Sequence, residues 1–434
     1  MPPYSVEAEP YDDAMTSSSK PVVDTMLDNA RLDDGRTVRI LVNPDGVITD
    51  IVDAEVVVDA AHTHDVEGRL VLGAMADPHA HVDKAYTADV APNPRGDLHG
   101  AIQAWISAEA AGVFTHEDMV ARIRRSFRQS LTHGCLSVRS HLNVGGRVGI
   151  THLLAALEAA AEFNDVMDIQ FVAMSHNPTV GPGSEDNVAA MAAAVDAGVH
   201  VIGGCPHLEV DPSGAVAAAL TRARNAGRPI DLHTDETLDP SVLTLEILAR
   251  ETSRQELTGV TASHCVSLGM CDPSTQARVA DLVAQAGVGV VALPQTNLYL
   301  QGRDTPTGTP RGLTAIAALR RAGATVAAGA DNVQDPFNLV GRNDPFETAA
   351  LMVMAGHLLP HEAYETVSSS ARAVMGLPEA GPVVGAVADL VAVEAPTQRA
   401  AVAEAPPART VFRRGRPVAK SHHHQDVLLP PPLA

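Results

Sequence analysis

Aromatic residues are scarce in this chain, where they make up 3% of the 434 residues and include a single tryptophan. The apolar fraction is nevertheless 45%, so the sequence predicts a sizeable core built mainly from alanine, valine and leucine. No run of about 18 uncharged apolar residues occurs, which excludes a helical membrane span. The opening segment, residues 1–24, is acidic and lacks the basic start and apolar stretch of a secretion signal.

Basic residues are also few, with 31 Lys and Arg against 52 Asp and Glu, for a net charge of −21. This balance argues against nucleic acids and anionic membranes as partners. The four cysteines (Cys135, Cys205, Cys265 and Cys271) form no CxxC pair, and we interpret them as small buried residues in a reducing compartment. We therefore expect a cytoplasmic protein, with a composition that is compatible with a homo-oligomer.

Several catalytic signatures are missing. The chain has no HExxH helix, which argues against a metalloprotease, and no GxSxG elbow, which argues against a serine hydrolase. A His-x-Glu with a Pro-Cys-x-x-Cys partner is absent as well, which argues against the small zinc nucleobase deaminase fold. The glycine cluster "NVGGRVG" lacks the GxGxxG spacing of a phosphate-binding loop.

A regular alternation begins at residue 71, where short apolar runs alternate with Ala-rich, charged segments of helical period. The eight strand-like runs cover residues 71–81, 135–144, 168–177, 199–207, 229–236, 260–265, 288–296 and 324–332. Eight strands that alternate with helices are typical of the α/β class, and they predict a (β/α)8 TIM barrel over residues 71–385.

The segments on either side of the barrel have another pattern. Residues 25–70 and 386–419 alternate apolar and polar side chains, which predicts short strands. Because these flanks bracket the barrel, we expect them to pair into one small β-sandwich. Residues 1–24 and 420–434 are predicted to be disordered tails.

Polar side chains recur at the ends of the predicted barrel strands. They are His79, His81, His141, His176, His207, His233, Glu236, His264 and Asp331. Barrel strands are parallel, so these strand ends converge on the face where barrel enzymes carry their active sites. The sequence therefore predicts one polar site at this face.

Residues i and i+2 of a strand point to the same side, so His79 and His81 could bind one metal, although a solvated turn would also accept them. His233 is well placed as a third nitrogen ligand and Asp331 as an oxygen ligand. Glu236 lies just beyond His233 and is the natural proton carrier, while His264 could polarise the substrate or the attacking hydroxide.

The sequence resembles the amidohydrolase superfamily, and within it the cytosine deaminase-like branch. The similar stretches are "DPHAHVDK", "VRSHLNV", "IDLHTDE", "VTASH", "LQGRDTPTGTPRG" and "GADNVQDPF". The resemblance implies one divalent metal ion, zinc or iron, whose ligands are His79, His81, His233 and Asp331. It also implies that Glu236 shuttles the proton, that His264 faces the attacking hydroxide, and that the two flanks form a β-sandwich.

Two positions depart from the cytosine deaminase pattern. His176 stands where those enzymes carry a glutamine that reads the pyrimidine, and Asn332 stands where they carry a second aspartate. Both changes alter the hydrogen-bond donors and acceptors that are offered to the substrate. We therefore expect a different substrate, and cytosine itself is a doubtful one. Lys84 is predicted to meet the substrate or to extend to solvent, and Phe337 to wall the pocket or to fill the core.

Other polar residues of the strands are interpreted as structural. His141 and His207 are expected to form hydrogen bonds near the site or to line the barrel mouth without binding the metal. Arg139 is expected to point into the barrel or to pair with a buried carboxylate.

The leading hypothesis is a metal-dependent aminohydrolase that attacks a ring carbon of a small nitrogen heterocycle, with Glu236, His264 and Asp331 as catalytic residues. The substrate-binding residues would be His176, Asn332, Phe337 and Lys84. One alternative is hydrolysis of a cyclic amide or of an N-alkylamino group on such a ring. The other is a metal-binding barrel without catalysis.

Overall fold

The computed structural model describes residues 23–427, and its centre is a barrel of eight parallel strands. Numbered along the whole chain, these barrel strands are β6 (Met75–Ala80), β7 (Cys135–Val144), β8 (Asp168–Ser175), β9 (Val201–Gly204), β10 (Ile230–Thr234), β11 (Val260–His264), β12 (Gly289–Ala292) and β13 (Val326–Ala328). They pair in sequential order from β6 to β13, as expected for consecutive β/α units. The predicted (β/α)8 barrel is confirmed.

The barrel closes between its first and last strands, next to the polar site. A parallel bridge joins Ala80 to Asp331. The His81 amide donates to the Asp331 carbonyl at 3.1 Å, and the Asp331 amide donates to the His79 carbonyl at 2.9 Å. The buried Asp77 carboxylate accepts hydrogen bonds from the Ala330 and His79 amides at 3.1 Å each, so it also links β6 to the segment after β13.

The segments between the strands form helices, as their period predicted. The helices are α1 (Leu98–Ala110), α2 (His116–Thr132), α3 (Thr151–Ala160), α4 (Glu185–Asp196), α5 (Pro212–Ala226), α6 (Thr244–Gln255), α7 (Pro273–Ala286), α8 (Pro294–Leu300), α9 (Ile316–Ala322), α10 (Pro345–Met354), α11 (Pro360–Thr366), α12 (Ser369–Val374) and α13 (Gln398–Glu404). Their ends follow local chemistry: α7 starts at the side-chain cap of Asp272 and ends at Gly287, whose φ of 65° suits glycine.

The two flanks form a second, mixed sheet. Its strands are β1 (Thr25–Arg31), β2 (Thr37–Val42), β3 (Ile48–Asp53), β4 (His62–Asp65), β5 (Leu70–Gly73), β14 (Leu390–Val393), β15 (Arg409–Arg413) and β16 (Arg416–Lys420). The order is β16-β15-β14-β5-β1-β2-β3, and β4 pairs with β1. Ile40 of β2 and Phe412 of β15 share one hydrophobic core, so both flanks contribute to a single sheet that is separate from the barrel; the expected pairing of the flanks is seen, in one sheet.

The apolar run at residues 71–81 differs from the expectation of one strand. It contains the end of β5, which pairs with β14 in the flank sheet, and then β6, which pairs with β7 in the barrel. The division falls at Gly73 and Ala74. A Cβ atom on Gly73 would lie 2.8 Å from the Ala380 carbonyl, so the backbone passes too close to its neighbour for a side chain at this point.

The predicted tails fall partly outside the described residues, which exclude 1–22 and 428–434. Within the described part, the Asp24 amide donates to the Val42 carbonyl and the Ser421 amide to the Arg409 carbonyl, at 2.9 and 2.8 Å. The ordered flank sheet therefore reaches slightly beyond both of the predicted tail boundaries. Across residues 23–427, every helix is too short or too polar to cross a bilayer.

Candidate metal centre and active site

Four side chains meet at the carboxyl end of the barrel. His79 lies near the end of β6, His81 follows that strand, His233 lies near the end of β10, and Asp331 follows β13. We call these four residues the metal cluster. The sequence analysis named all four as ligands, and the structure brings them together although they are up to about 250 residues apart in the chain.

The spacing of the donor atoms suits a single ion. The His81 Nε2 atom lies 3.2 Å from His233 Nε2 and 3.3 Å from an Asp331 carboxylate oxygen. The His79 Nε2 atom lies 3.6 Å from that same oxygen. Ligand atoms about 2.1 Å from a tetrahedral ion stand roughly 3.4 Å from one another, so these separations fit a first-row divalent metal.

The cluster also lacks the partners that buried polar atoms ordinarily have. Both ring nitrogens of His79 and both carboxylate oxygens of Asp331 find no hydrogen-bond partner among the described residues. Burial holds the pKa of His79, His81 and His233 well below its ordinary value, so the imidazoles are neutral and offer lone pairs. Burial likewise raises the pKa of Asp331. A bound cation would satisfy all of these groups, so the residues present fit a metal ion.

The protein also fixes which nitrogen of His81 is free to bind. Its Nδ1 atom lies 3.0 Å from the His141 carbonyl oxygen, which can only accept, so the hydrogen sits on Nδ1. The lone pair is then on Nε2, which faces the cluster. A backbone carbonyl behind a metal-binding histidine is the usual means of setting its tautomer and orientation.

Glu236 and His264, the other predicted catalytic residues, adjoin the cluster. The His264 Nδ1 atom lies 3.7 Å from the Glu236 carboxylate, and its Nε2 atom lies 4.0 Å from Asp331. Burial lowers the pKa of His264 to about 3 and raises that of Glu236 to about 8. At neutral pH the imidazole is therefore a neutral acceptor and most of Glu236 is a protonated donor.

The backbone at two of these residues is strained. His264 has a φ of 71° and Asp331 a φ of 62°, in the left-handed region that residues other than glycine rarely adopt. Such conformations cost about 1–3 kcal/mol each and persist where the surrounding structure enforces them, frequently at functional sites. Here they turn both side chains toward Glu236 and the cluster.

His141 and His207, which the sequence analysis interpreted as hydrogen-bonders near the site or as residues lining the barrel mouth, both lie next to the cluster. His141 sits within β7 instead of at its end, and its ring stacks on that of His79 with centroids 3.9 Å apart. His79, His141 and Asp231 also form a group with the spacing of metal ligands. His207 donates from Nδ1 to the His233 carbonyl at 3.1 Å, consistent with a role as a hydrogen-bonder.

The four predicted substrate-binding residues line one cavity of about 310 Å³ that opens onto the cluster. They are Lys84, His176, Asn332 and Phe337. Lys84 is 3% exposed and therefore does not extend to solvent. Its ammonium group lies 3.7 Å from the Asp83 carboxylate, so it is held at the inner wall of the cavity.

Asn332 is held by a residue that sequence reasoning missed. Its amide nitrogen donates to the Asp335 carboxylate at 2.7 Å, and Asp335 also accepts from the Phe337 and Asn338 amides. Burial raises the pKa of Asp335 to about 7, and above that pH the ionised carboxylate can only accept, so Asn332 turns its Nδ2 atom toward it and leaves Oδ1 as the free acceptor. The motif "NVQDPF" contained Asp335, but nothing local in it indicated the partner.

Three comparisons identify known proteins that this chain resembles. The family model described as "Amidohydrolase family" matches residues 109–419. A pterin deaminase of Rhizobium rhizogenes (strain K84) is 32% identical over 388 residues, which cover 88% of each protein.

Two solved structures are also similar. A 5-methylcytosine deaminase from Klebsiella pneumoniae has a TM-score of 0.83 and 27% identity, over 93% of this chain and 100% of that one. An N-isopropylammelide isopropylaminohydrolase from Burkholderia multivorans has a TM-score of 0.77 and 26% identity, over 91% and 98%. The chain belongs to the amidohydrolase family, and it is a hydrolase that acts on carbon–nitrogen bonds.

Proposed function

We propose that this protein is a metal-dependent deaminase that removes an exocyclic amino group from a nitrogen heterocycle by hydrolysis. The observation that carries the proposal is the metal cluster with Glu236 beside it, a buried protonated carboxyl group at the edge of a cavity that also reaches Asp331. A purely structural metal site needs no such acid.

His79, His81, His233 and Asp331 would hold the ion. Three imidazole nitrogens and one carboxylate oxygen suit zinc or ferrous iron, and the donor set alone does not separate the two. When bound, the ion would lower the pKa of a water molecule to near 7, which supplies the nucleophile.

The residues around the cluster move the protons. His264 presents its Nε2 lone pair toward Asp331, so the two can accept and orient the proton that the water loses. Glu236 donates its proton to a ring nitrogen, which makes the adjacent carbon electrophilic. The resulting Glu236 carboxylate then takes the hydroxyl proton of the tetrahedral adduct and passes it to the departing amine, so the C=O bond forms as neutral ammonia leaves. The proton accepted by His264 and Asp331 finally returns to Glu236.

Substrate recognition is assigned to the cavity wall. The Oδ1 atom of Asn332 accepts a hydrogen bond from an N–H group of the ring, and the ammonium of Lys84 donates to a carbonyl oxygen. His176 replaces the glutamine of cytosine deaminases and is half-buried in the same wall. An amino-oxo ring offers this combination of groups.

We propose that the substrate is a fused, two-ring compound of the pterin type, in preference to a single pyrimidine ring. The cavity of about 310 Å³ lies at the lower end of the range for drug-sized ligands, roughly 300–1,000 Å³, and so has room for more than one ring. The similarity to a pterin deaminase over most of both chains supports the same choice.

The test is a substrate panel assayed for ammonia with zinc- and iron-loaded enzyme. It should contain pterin, cytosine, an aminotriazine and a cyclic urea. We expect pterin to release ammonia at the highest kcat/KM, and cytosine to be poor. Release of an alkylamine from an N-alkylamino ring without any ammonia from the amino rings would overturn the deaminase assignment in favour of the alternative.

A further inference from the structure

Helix α1 has an unusual distribution of side chains. Its buried side is made mostly of small residues, Gly100, Ala101 and Ala108, together with Trp105. Its large aliphatic residues, Leu98, Ile102 and Ile106, recur every four positions and form one stripe that is only partly covered. A surface helix normally buries its stripe of large aliphatic residues. The partly exposed stripe of α1 therefore indicates a surface that binds something other than the core of the barrel.

The partly covered stripe faces the active-site cavity. Leu98, Ile102 and Ile106 all line it, and Leu208, which follows β9, lines it as well. We call these four residues the apolar rim. Ile106 is 45% exposed and Leu208 is 52% exposed, whereas the metal cluster is buried, so the rim marks the outer end of the cavity and the cluster its inner end.

Helix α1, which carries three of the four rim residues, is fixed in place by a chain of polar contacts that reaches the segment after β6. Trp105 donates from its indole nitrogen to Glu109 at 2.7 Å, and the same Glu109 oxygen lies 3.7 Å from His152. His152 in turn contacts the Asp83 carboxylate at 2.8 Å, next to Lys84. Helix α1 is therefore tied to the segment that carries His81, and its aliphatic stripe is a built wall of the cavity.

A second cavity continues outward from the rim. It has a volume of about 540 Å³ and shares Leu98, Ile102 and Leu208 with the inner cavity. A ligand that fills the inner cavity therefore has space to extend past the rim. An unsubstituted ring bound at the metal cluster would leave these aliphatic side chains in contact with water.

We propose that the apolar rim is a subsite for an alkyl or aryl substituent carried on the heterocycle, at an edge away from the amino group that is removed. This inference rests on the proposed function and adds the class of substrate: a ring with an apolar side group. The contact removes apolar surface of both rim and ligand from water, which favours such substrates over polar ones of equal size.

The experiment compares two ligands that differ only at the end of the side group. These are 2-amino-4-oxopteridines with a propyl or a 2-hydroxyethyl group, each made at position 6 and at position 7. The zinc- or iron-loaded enzyme is assayed for ammonia, and Kd is measured by calorimetry for the same compounds. We expect kcat/KM or affinity to favour the propyl compound by about tenfold at one of the two positions.

Two variants locate the effect. Ile106→Ala and Leu208→Ala lie on separate elements, and both side chains are partly exposed, so neither substitution opens a core cavity. Each should reduce the propyl-to-hydroxyethyl ratio about threefold to tenfold. The matched control is Leu154→Ala on α3, which is 46% exposed, lies outside the cavity lining and should keep the wild-type ratio.

The outcomes separate this inference from the proposed function. A ratio near one at both positions, or a ratio that both rim variants leave unchanged, overturns the inference even if ammonia is released. A clear propyl preference in binding that the rim variants abolish supports it even if no compound is deaminated.

Discussion

The two ends of the barrel both bury polar side chains, but they treat them differently. In the amino-terminal half, Arg139 contacts the Asp231 carboxylate at 2.8 Å and the Gln170 side chain at 2.9 Å. It also donates to the Val374 carbonyl, at the end of α12. At the carboxyl end, the side-chain polar atoms of His79 and Asp331 have no hydrogen-bond partner among the described residues.

The difference shows where the protein buries polar side chains with partners and where it buries them without. A buried charge is tolerated when its partners are supplied, as they are for Arg139, and that arrangement serves stability. Buried polar atoms without a protein partner persist where a bound ion or ligand pairs with them, and that arrangement serves chemistry. Substitutions at the amino end should therefore change folding, and those at the carboxyl end should change metal binding or catalysis.

The largest expected effect is on catalysis and comes from Glu236→Gln. The amide has nearly the same shape but cannot donate a proton as an acid, so we expect kcat to fall about a thousandfold. Metal content, measured by elemental analysis, should remain at the wild-type level. The matched control is Glu365→Gln on α11, an exposed position, and unchanged activity in Glu236→Gln would remove this residue from the mechanism.

The next effect is on folding and comes from Arg139→Met. Removing the guanidinium leaves Asp231 buried without its cation, which should lower the free energy of unfolding by about 3 kcal/mol. Urea denaturation measures the change. Arg254→Met removes an ion pair with Glu251 that is largely exposed, and should cost less than about 0.5 kcal/mol. Equal losses in the two variants would contradict the contrast between the barrel ends.

Metal removal should destabilise the protein from the opposite end. An ion that binds only the folded state adds about 3–4 kcal/mol when its concentration is several hundred times Kd. Chelation should therefore lower the melting temperature, and added zinc should restore it. In the Asp331→Asn variant, chelation should lower the melting temperature by less than it does in wild type, because the variant binds the ion more weakly. An equal shift in the two proteins would show that the ion binds elsewhere.

The smallest expected effect is on substrate recognition and comes from Asp335→Asn. The introduced amide can donate as well as accept, so it no longer forces Asn332 to turn its oxygen toward the cavity. We expect kcat/KM to fall about tenfold with the metal content unchanged. Combining it with Asn332→Asp restores a donor–acceptor pair and should recover part of the loss.

An exposed carboxylate provides the control for this experiment. Asp281→Asn on α7 should leave kcat/KM within twofold of wild type. If Asp335→Asn lowers the melting temperature strongly and the double variant recovers stability without activity, Asp335 only holds the loop, and its role in orienting Asn332 is wrong.

The strands, the barrel and the residues of the metal cluster could be predicted because each depends on a local signal. An apolar run followed by histidine, as at His79 or His233, marks a strand end wherever the partner strands lie. Parallel pairing then brings all such ends to one face without further information.

The remaining features depend on contacts between distant segments. The stacking of His141 on His79, the grip of Asp335 on Asn332 and the link that Asp77 forms between β6 and the segment after β13 leave no periodic trace in the sequence. The same holds for the break at Gly73, which is set by the close approach of Ala380. Whether a polar atom is satisfied depends on its neighbours in space, and a single sequence does not give them.

The metal cluster spans the contact between β6 and β13, which are the first and last strands of the barrel. His79 lies on the first strand, His81 lies directly after that strand, and Asp331 lies just after the last strand. An ion held by all three fastens a loop of about 250 residues, whose closure is entropically costly when the chain is open. The catalytic metal would thus also act as the clasp of the barrel, and hydrogen exchange at the Asp331 and His81 amides should quicken first when it is withdrawn.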